Sequence, residues 1–419
     1  MFDPERWLAT LDPIGWRFGL ERIEALTAAL GRPQDRYATA HVVGTNGKSS
    51  VTAMTVALLE AHGHRAGAYL SPHAERWAER VLISGRTIEP DAFARAVERV
   101  AAAVSEVERG FEPGERVTQF EAATAAAFVA LAEAGVEYGV IEAGLGGRLD
   151  ATNVIASSAT ALTSVGLDHT QWLGETESQI ATEKLAVLRR RSVLVLGDVS
   201  PEVERLAREV AAERDARVVR PRELAPPEGR SFAAPYLRRN VAVAAALAEA
   251  LLGELDPERA RAALAGVSLP GRVEVVAGEP PVVLDAAHNP QGARALAEAL
   301  AALARGRRMV GCLAVLADKD ARGIVAELAG VLDAVVCTEL APGELAGMGR
   351  PDTKVTPAAE LSALCEAAGL EASAEPDPET AIAATLRMAA EQGGVAVVCG
   401  SHYLLSHAHV ALAGDGEAA

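Results

Sequence analysis

Positive charge is in deficit. The chain carries 40 Lys and Arg against 57 Asp and Glu, a net charge of -17. That balance argues against a nucleic-acid partner or an anionic membrane surface. It does not exclude anionic small molecules, because a site can be locally basic inside an acidic protein. No apolar run reaches transmembrane length, and Met1-Phe2-Asp3-Pro4-Glu5-Arg6 lacks a signal-peptide core. Only four cysteines occur, Cys312, Cys337, Cys365 and Cys399, with no Cys-x-x-Cys pair. Zinc and thioredoxin-like sites are poor fits to that spacing. Internal repeats and low-complexity linkers are also missing. A soluble, reduced, cytoplasmic protein is the expectation.

What the chain does have is hydrophobic bulk. Half of its 419 residues are hydrophobic and 23% are charged, enough for two or three domains with large cores. Apolar runs and helical stretches alternate almost throughout. Strands are predicted at Ala38–Val43, Arg65–Leu70, Gly139–Ile141, Ala159–Val165 and Val193–Leu196, with a long alanine-rich helix at Phe120–Ala134. Leu269-Pro270-Gly271-Arg272 interrupts the pattern, and a fresh series follows: Val282–Leu284, Met309–Val315, Ala334–Cys337 and Val395–Cys399. The expected architecture is α/β: a P-loop mononucleotide-binding parallel-sheet domain over 1–268, then a smaller Rossmann-like α/β domain over 272–419, with a hinge near 269–272. Pro221–Pro235 reads as a surface insertion, not as a boundary. Asn289 suits a helix N-cap with Pro290 at the first helical position.

The most informative stretch is His41-Val42-Val43-Gly44-Thr45-Asn46-Gly47-Lys48-Ser49-Ser50. An apolar strand runs into a glycine-bearing loop, and Gly-Lys-Ser opens a helix. That is the layout of a phosphate-binding P-loop, in which backbone N–H groups and a helix N-terminus hold a polyphosphate. Lys48 would reach the β/γ-phosphates and Ser49 would sit near a metal. The usual first glycine of the pattern is Val42 here. A P-loop also needs oxygen ligands for magnesium. Glu142 fits, since it ends Tyr138-Gly139-Val140-Ile141 before the glycine-rich Ala143-Gly144-Leu145-Gly146-Gly147-Arg148. His169, at the end of the next strand, is a second candidate beside Asp168. Lys184, by its sequence alone, reads as a surface lysine, and Arg189-Arg190-Arg191 as a solvated charge run. No asparagine is followed by lysine, so the guanine-specifying Asn-Lys-x-Asp of a GTPase switch is absent.

Taken in order, the motifs resemble a family. They are Gly44-Thr45-Asn46-Gly47-Lys48-Ser49-Ser50, Ser71-Pro72-His73, Glu79-Arg80, Glu142 to Asn153, Leu167-Asp168-His169, Glu183-Lys184, Pro270-Gly271-Arg272, Asp285-Ala286-Ala287-His288-Asn289-Pro290, Asp318-Lys319-Asp320 and Gly400-Ser401. They closely resemble folylpolyglutamate synthase/dihydrofolate synthase, a branch of the Mur ligase superfamily, from about Gly15 to His402. The resemblance implies an ATP-dependent ligase that joins L-glutamate to dihydropteroate or a reduced folate through an acyl phosphate. It also implies a monomer, while the charge balance speaks against nucleic-acid and membrane partners.

The same resemblance implies roles for particular residues. Gly44, Thr45, Asn46, Gly47, Lys48, Ser49 and Ser50 would cradle ATP. Ser71, Glu142 and His169 would ligate magnesium, and a carbamylated Lys184 would help hold a second ion; the resemblance also leaves room for a monovalent cation. Asn240 and Asp285 would contact the nucleotide, and Arg272 a phosphate. Arg80, His288 and Ser401 belong to the incoming-glutamate side. Asp150 and the segment Trp16 to Ile23 belong to the pterin side of bifunctional members. Lys48, Lys184, Arg272 and His288 would carry the chemistry. Tyr236 and Leu237 depart from the family's His-Gln, and Leu185-Ala186-Val187 from its Ala-Gly-Ile. A cell-wall Mur ligase would need a further domain, of about 100 residues, before the P-loop, where only 43 residues precede Gly44.

Overall fold

The computed structural model describes residues 2–12, 19–73, 75–222, 224, 234–304, 306–341, 343, 345 and 353–414. Two compact units emerge: 1–227 with 239–267, and 228–238 with 268–419. The units divide at Val267/Ser268, and residues 234–238 group with the second unit. One reason is visible in that stretch: Tyr236 donates its hydroxyl hydrogen bond to Asp285.

The first unit is built on an eight-stranded sheet among the described residues, ordered β4-β3-β2-β5-β1-β6-β7-β8. The strands are β1 Ala38–Val43, β2 Ala66–Tyr69, β3 Val81–Ile83, β4 Arg86–Thr87, β5 Tyr138–Glu142, β6 Ala159–Ser164, β7 Val193–Asp198 and β8 Arg217–Val219. From β2 to β8 in that order all neighbours run parallel, and β3 and β4 add an antiparallel edge. β1 lies centrally with β5 on one side and β6 on the other, so the winding reverses at its carboxyl end. Ligands of open α/β sheets bind at such a reversal.

Helices cover both faces. Gln119–Glu133 starts with a capping box in which Thr118 and Glu121 satisfy each other's backbone N–H. Its alanines pack closely with Val97, Val100, Tyr69 and Ile141 in one core. On the other side Glu177–Leu185 and Pro201–Glu213 bury Ile180, Leu185, Val203 and Ala207 with Leu162 and Leu194. Arg189 is not solvated as its sequence suggested. It is half-buried and donates to the Ile155 carbonyl and to Asn153 Oδ1, at 3.0 and 2.9 Å.

The second unit carries a six-stranded sheet ordered β13-β12-β11-β14-β10-β9. These are β9 Glu274–Val276, β10 Val282–Leu284, β11 Met309–Leu313, β12 Ala334–Cys337, β13 Glu371–Ala374 and β14 Val395–Cys399. Only β9 is antiparallel to its neighbour. β14, the last strand in sequence, inserts between β10 and β11. Asn289 caps the helix Pro290–Ala304 by accepting from the Gly292 N–H at 2.8 Å. All four cysteines are buried free thiols, as small core hydrophobes.

Candidate active site

The site of the first unit forms where β1 ends. Gly47 has φ 85° and precedes the helix Lys48–Ala61, which no side chain caps. Its first N–H groups are therefore available to an anion. The loop is tied to the exit of β6. Thr45 N–H donates to the Ser164 carbonyl at 2.9 Å, and Asn46 N–H to Ser164 Oγ at 3.0 Å. Thr163 Oγ1 donates to the Asn46 carbonyl at 2.7 Å. Nothing in the sequence singled out Thr163 or Ser164; two hydroxyls in a strand gave no motif. A Cβ on Gly44 would lie 1.9 Å from Thr163 Oγ1, so glycine is required there by space. A Cβ on Gly47 would meet Asn240 Oδ1 at 2.6 Å, which places the expected nucleotide contact Asn240 against the loop.

Two lysines converge on one carbonyl. Lys48 Nζ donates to the carbonyls of Gly44 and Thr45, both at 3.2 Å, and Lys184 Nζ to Gly44 at 2.9 Å. Lys184 is buried at 5% exposure, not on the surface. Burial, followed by the Lys48 charge, pulls its pKa from 10.5 down to about 7. Asp168 and Asp150 partly oppose that fall. The helix holding Lys184 abuts the glycine-rich loop closely: a Cβ on Gly147 would sit 2.9 Å from the Lys184 carbonyl oxygen. Arg148 Nε donates to Glu183 Oε1 at 2.9 Å across the same contact.

Glu142 is 1% exposed, accepting from Ser49 Oγ at 3.0 Å and from the Ser71 N–H at 3.3 Å. Three of the expected phosphate and metal residues thus meet at one carboxylate. Ser50 faces inward, with its hydroxyl buried and unpartnered among the described residues. His169 is displaced from its expected place at a strand end. β6 stops at Ser164, because Ser164 turns to the P-loop, and His169 lies in the following loop at φ 51°, ahead of the short helix Thr170–Leu173. Its Nε2 is 3.9 Å from Asp168 Oδ1. Among the described residues no three His, Cys, Asp or Glu side chains gather as a metal cluster. The expected ligand set contains only two of those types, its other members being serine and lysine.

Asp150 is also buried, and burial raises its pKa despite several hydrogen bonds. Oδ2 accepts from the Leu145 N–H at 2.7 Å, and Oδ1 from the Thr152 N–H and hydroxyl at 3.0 and 2.5 Å. Its visible task is to hold the glycine-rich loop. Asp150→Ala should destabilise the protein by about 2 kcal/mol in urea unfolding, since three donors lose their acceptor. Of the pterin-side segment, Trp16, Arg17 and Phe18 lie outside the described residues. Arg22, in the helix Glu21–Ala29, pairs with Glu121 at 3.1 Å. Arg80 is 4% exposed and stacks over Trp77, with its guanidinium carbon 4.0 Å from the ring centroid.

In the second unit the expected residues gather past β10 and β14. Asp285 is buried, which raises its pKa. Oδ2 accepts from Tyr236 Oη and the Val273 N–H, and Oδ1 from the Ala287 N–H, each at 2.9 Å. Tyr236, where the family usually has histidine, thus uses its hydroxyl on the Asp285 carboxylate, and Leu237 is fully buried. His288 Nδ1 is 2.8 Å from the Ala286 carbonyl. A carbonyl only accepts, so Nδ1 carries the proton and Nε2 is the basic nitrogen. Arg272 donates to the Gly271 carbonyl at 2.9 Å. Ser401 is 2% exposed and accepts from the Tyr403 N–H at 3.3 Å. His402 was not anticipated. Burial first, then Arg272 and His288, lower its pKa to about 3, so it stays neutral.

Comparison with known proteins identifies the family. Residues 271–402 match the family described as Mur ligase, glutamate ligase domain. The dihydrofolate synthase/folylpolyglutamate synthase of Mycobacterium tuberculosis is 36% identical over 383 residues, covering 80% of this chain and 76% of that protein. A Mycobacterium tuberculosis folylpolyglutamate synthase solved with ADP superposes with a TM-score of 0.87 at 32% identity, covering 97% of this chain and 96% of that one. A bifunctional folylpolyglutamate synthase/dihydrofolate synthase solved with Mn, AMPPNP and L-glutamate gives a TM-score of 0.83 at 30% identity, with 98% of each chain covered. The chain therefore belongs to the dihydrofolate synthase/folylpolyglutamate synthase family of Mur-type ligases.

Proposed function

We propose that this protein is an ATP-dependent ligase that joins L-glutamate to the carboxyl group of dihydropteroate and to the γ-carboxyl of reduced folates. The observation that carries this is the convergence of Lys48 and Lys184 on the Gly44 carbonyl, beside a buried Glu142 that holds Ser49. The Lys48 ammonium and the uncapped N–H groups of the helix Lys48–Ala61 suit a triphosphate.

A carboxylate is a poor electrophile. Transfer of the ATP γ-phosphoryl group to it gives an acyl phosphate and ADP. The glutamate amine then attacks the acyl carbon, the amide forms and phosphate leaves with the electron pair of the broken C–O bond. Lys48 and the first N–H groups of the helix Lys48–Ala61 neutralise charge on the phosphoryl oxygens. The amine must attack as the free base, and His288 Nε2 is suited to accept its proton. Arg272 is assigned to a phosphate, Asn240 and Asp285 to the nucleotide, and Arg80 and Ser401 to carboxylates on the glutamate side. Asp150 supports the pterin side through its loop.

Glu142 and the Ser71 hydroxyl are hard oxygen donors, and with the His169 imidazole they fit a divalent cation such as Mg²⁺ or Mn²⁺. Bound there, the cation supplies charge neutralisation on the phosphates. As an ammonium Lys184 does not fit such a site, but as a carbamate it does, adding an anionic oxygen ligand for a second ion. A buried lysine with pKa near 7 exposes a neutral amine that adds to CO₂. A monovalent cation and a monomeric state are carried over from the family resemblance.

The test is an assay with ATP, Mg²⁺ and glutamate, offering dihydropteroate and tetrahydrofolate separately. Glutamylation of both is expected, with ATP turnover only when acid and glutamate are both present. With the acid labelled by ¹⁸O in its carboxylate, one label should appear in the released phosphate. Unlabelled phosphate would eliminate the acyl-phosphate route.

A further inference from the structure

Arg80 is a buried guanidinium with no carboxylate in ion-pairing range among the described residues, a costly arrangement unless an anion arrives. What holds it is unusual. Its Nε donates to His73 Nδ1 at 2.8 Å, both residues being no more than 5% exposed. Arginine Nε can only donate, so His73 must present a lone pair at Nδ1 and carry its proton at Nε2. Trp77 stacks beneath the guanidinium at 4.0 Å and also touches the His73 ring, with centroids 4.6 Å apart. The buried Tyr69 hydroxyl lies within reach of the Arg80 charge and accepts a hydrogen bond from Thr124 Oγ1 at 3.2 Å. Trp77 is itself anchored, its N–H donating to Glu5 Oε1 at 3.0 Å.

We infer that His73 is a positioning residue for Arg80: it occupies Nε and, with Trp77, fixes the plane of the guanidinium, so that the terminal nitrogens are committed to a substrate carboxylate. The inference rests on the assignment of Arg80 to a carboxylate. A planar fork gains bidentate contact only when its orientation is set beforehand. Held this way, Arg80 loses little rotamer freedom when the anion binds.

The experiment compares wild-type enzyme with His73→Ala, His73→Asn and Arg80→Gln, measuring kcat and KM for glutamate, for tetrahydrofolate and for ATP. Asparagine offers an acceptor oxygen near the place of Nδ1, whereas alanine offers none. His73→Ala should raise KM for one carboxylate substrate about tenfold, with KM for ATP unchanged. His73→Asn should restore that KM to within about threefold of wild type, and Arg80→Gln should raise the same KM at least as far as His73→Ala. The substrate affected tells whether glutamate or the folate acid is gripped. Equal defects in the Asn and Ala variants, or a parallel rise in KM for ATP, would overturn the inference. A normal KM for both acids in Arg80→Gln would instead overturn the carboxylate assignment of Arg80. Should His73→Ala not fold, the Asn variant decides alone, a KM more than tenfold above wild type counting against the inference.

Discussion

Lys48→Ala should lower kcat for glutamate ligation by roughly three orders of magnitude while leaving the fold intact. The asymmetry follows from its contacts. Lys48 Nζ touches only two main-chain carbonyls, those of Gly44 and Thr45, and its side chain is half-buried. Removing it leaves those oxygens open to water, so urea unfolding should shift by less than about 1 kcal/mol. A charge aimed at developing phosphoryl negativity has no substitute in the loop, because backbone N–H groups supply only partial charges. Turnover within tenfold of wild type would refute the assignment of Lys48.

Lys184→Met should move activity and stability in opposite directions. Ligation should fall at least about a hundredfold, since methionine can neither form a carbamate nor hold a charge near the triphosphate. Stability in the absence of nucleotide should rise by about 2 kcal/mol, because a buried cation repelled by Lys48 has been replaced by an apolar chain of similar length. The folded-state pKa of Lys184 is lowered from 10.5 to about 7. Between those values the unfolded chain holds a proton that the native state has shed, so wild-type stability climbs as pH rises through that window. The advantage of the methionine variant is therefore largest below pH 7 and shrinks towards pH 10. Urea midpoints of both proteins at pH 6.5 and pH 9.5, in CO₂-free buffer, measure it. An advantage that does not change between those pH values would contradict the burial of a titrating lysine. Wild-type protein carrying one added CO₂ by native mass spectrometry would support the carbamate directly.

The sequence announced most of the sheet. β1, β10, β12 and β14 fall where apolar runs ended against glycine or polar residues, because strands buried on both faces leave no ambiguity of period. The P-loop and Glu142 were legible for the same reason, as polar residues at the ends of such runs. Other features needed three dimensions. Lys184 has the helical spacing of a surface residue, yet its helix packs against Gly147 and its side chain is buried with Nζ on the Gly44 carbonyl. The hydroxyls of Thr163 and Ser164 look like ordinary strand polarity, yet they fasten the nucleotide loop and end β6 before His169. Asp150 was legible only through the resemblance, and the bonds its oxygens accept from Leu145 and Thr152 left no sequence signal. Tyr236 registered only as a departure from the family, and its bond to Asp285 spans 49 residues of sequence.

The insertion of β14 between β10 and β11 has a bearing on biosynthesis. Until translation has delivered Val395–Cys399 beyond the ribosome, β10 and β11 have no neighbour to share, and the strand that leads into Asp285 and the strand that holds Cys312 wait with open ladders. The sheet of the first unit has no such delay, since all its strands among the described residues precede residue 220. Nascent chains should therefore pair the strands around the phosphate loop while the second sheet still lacks its shared strand.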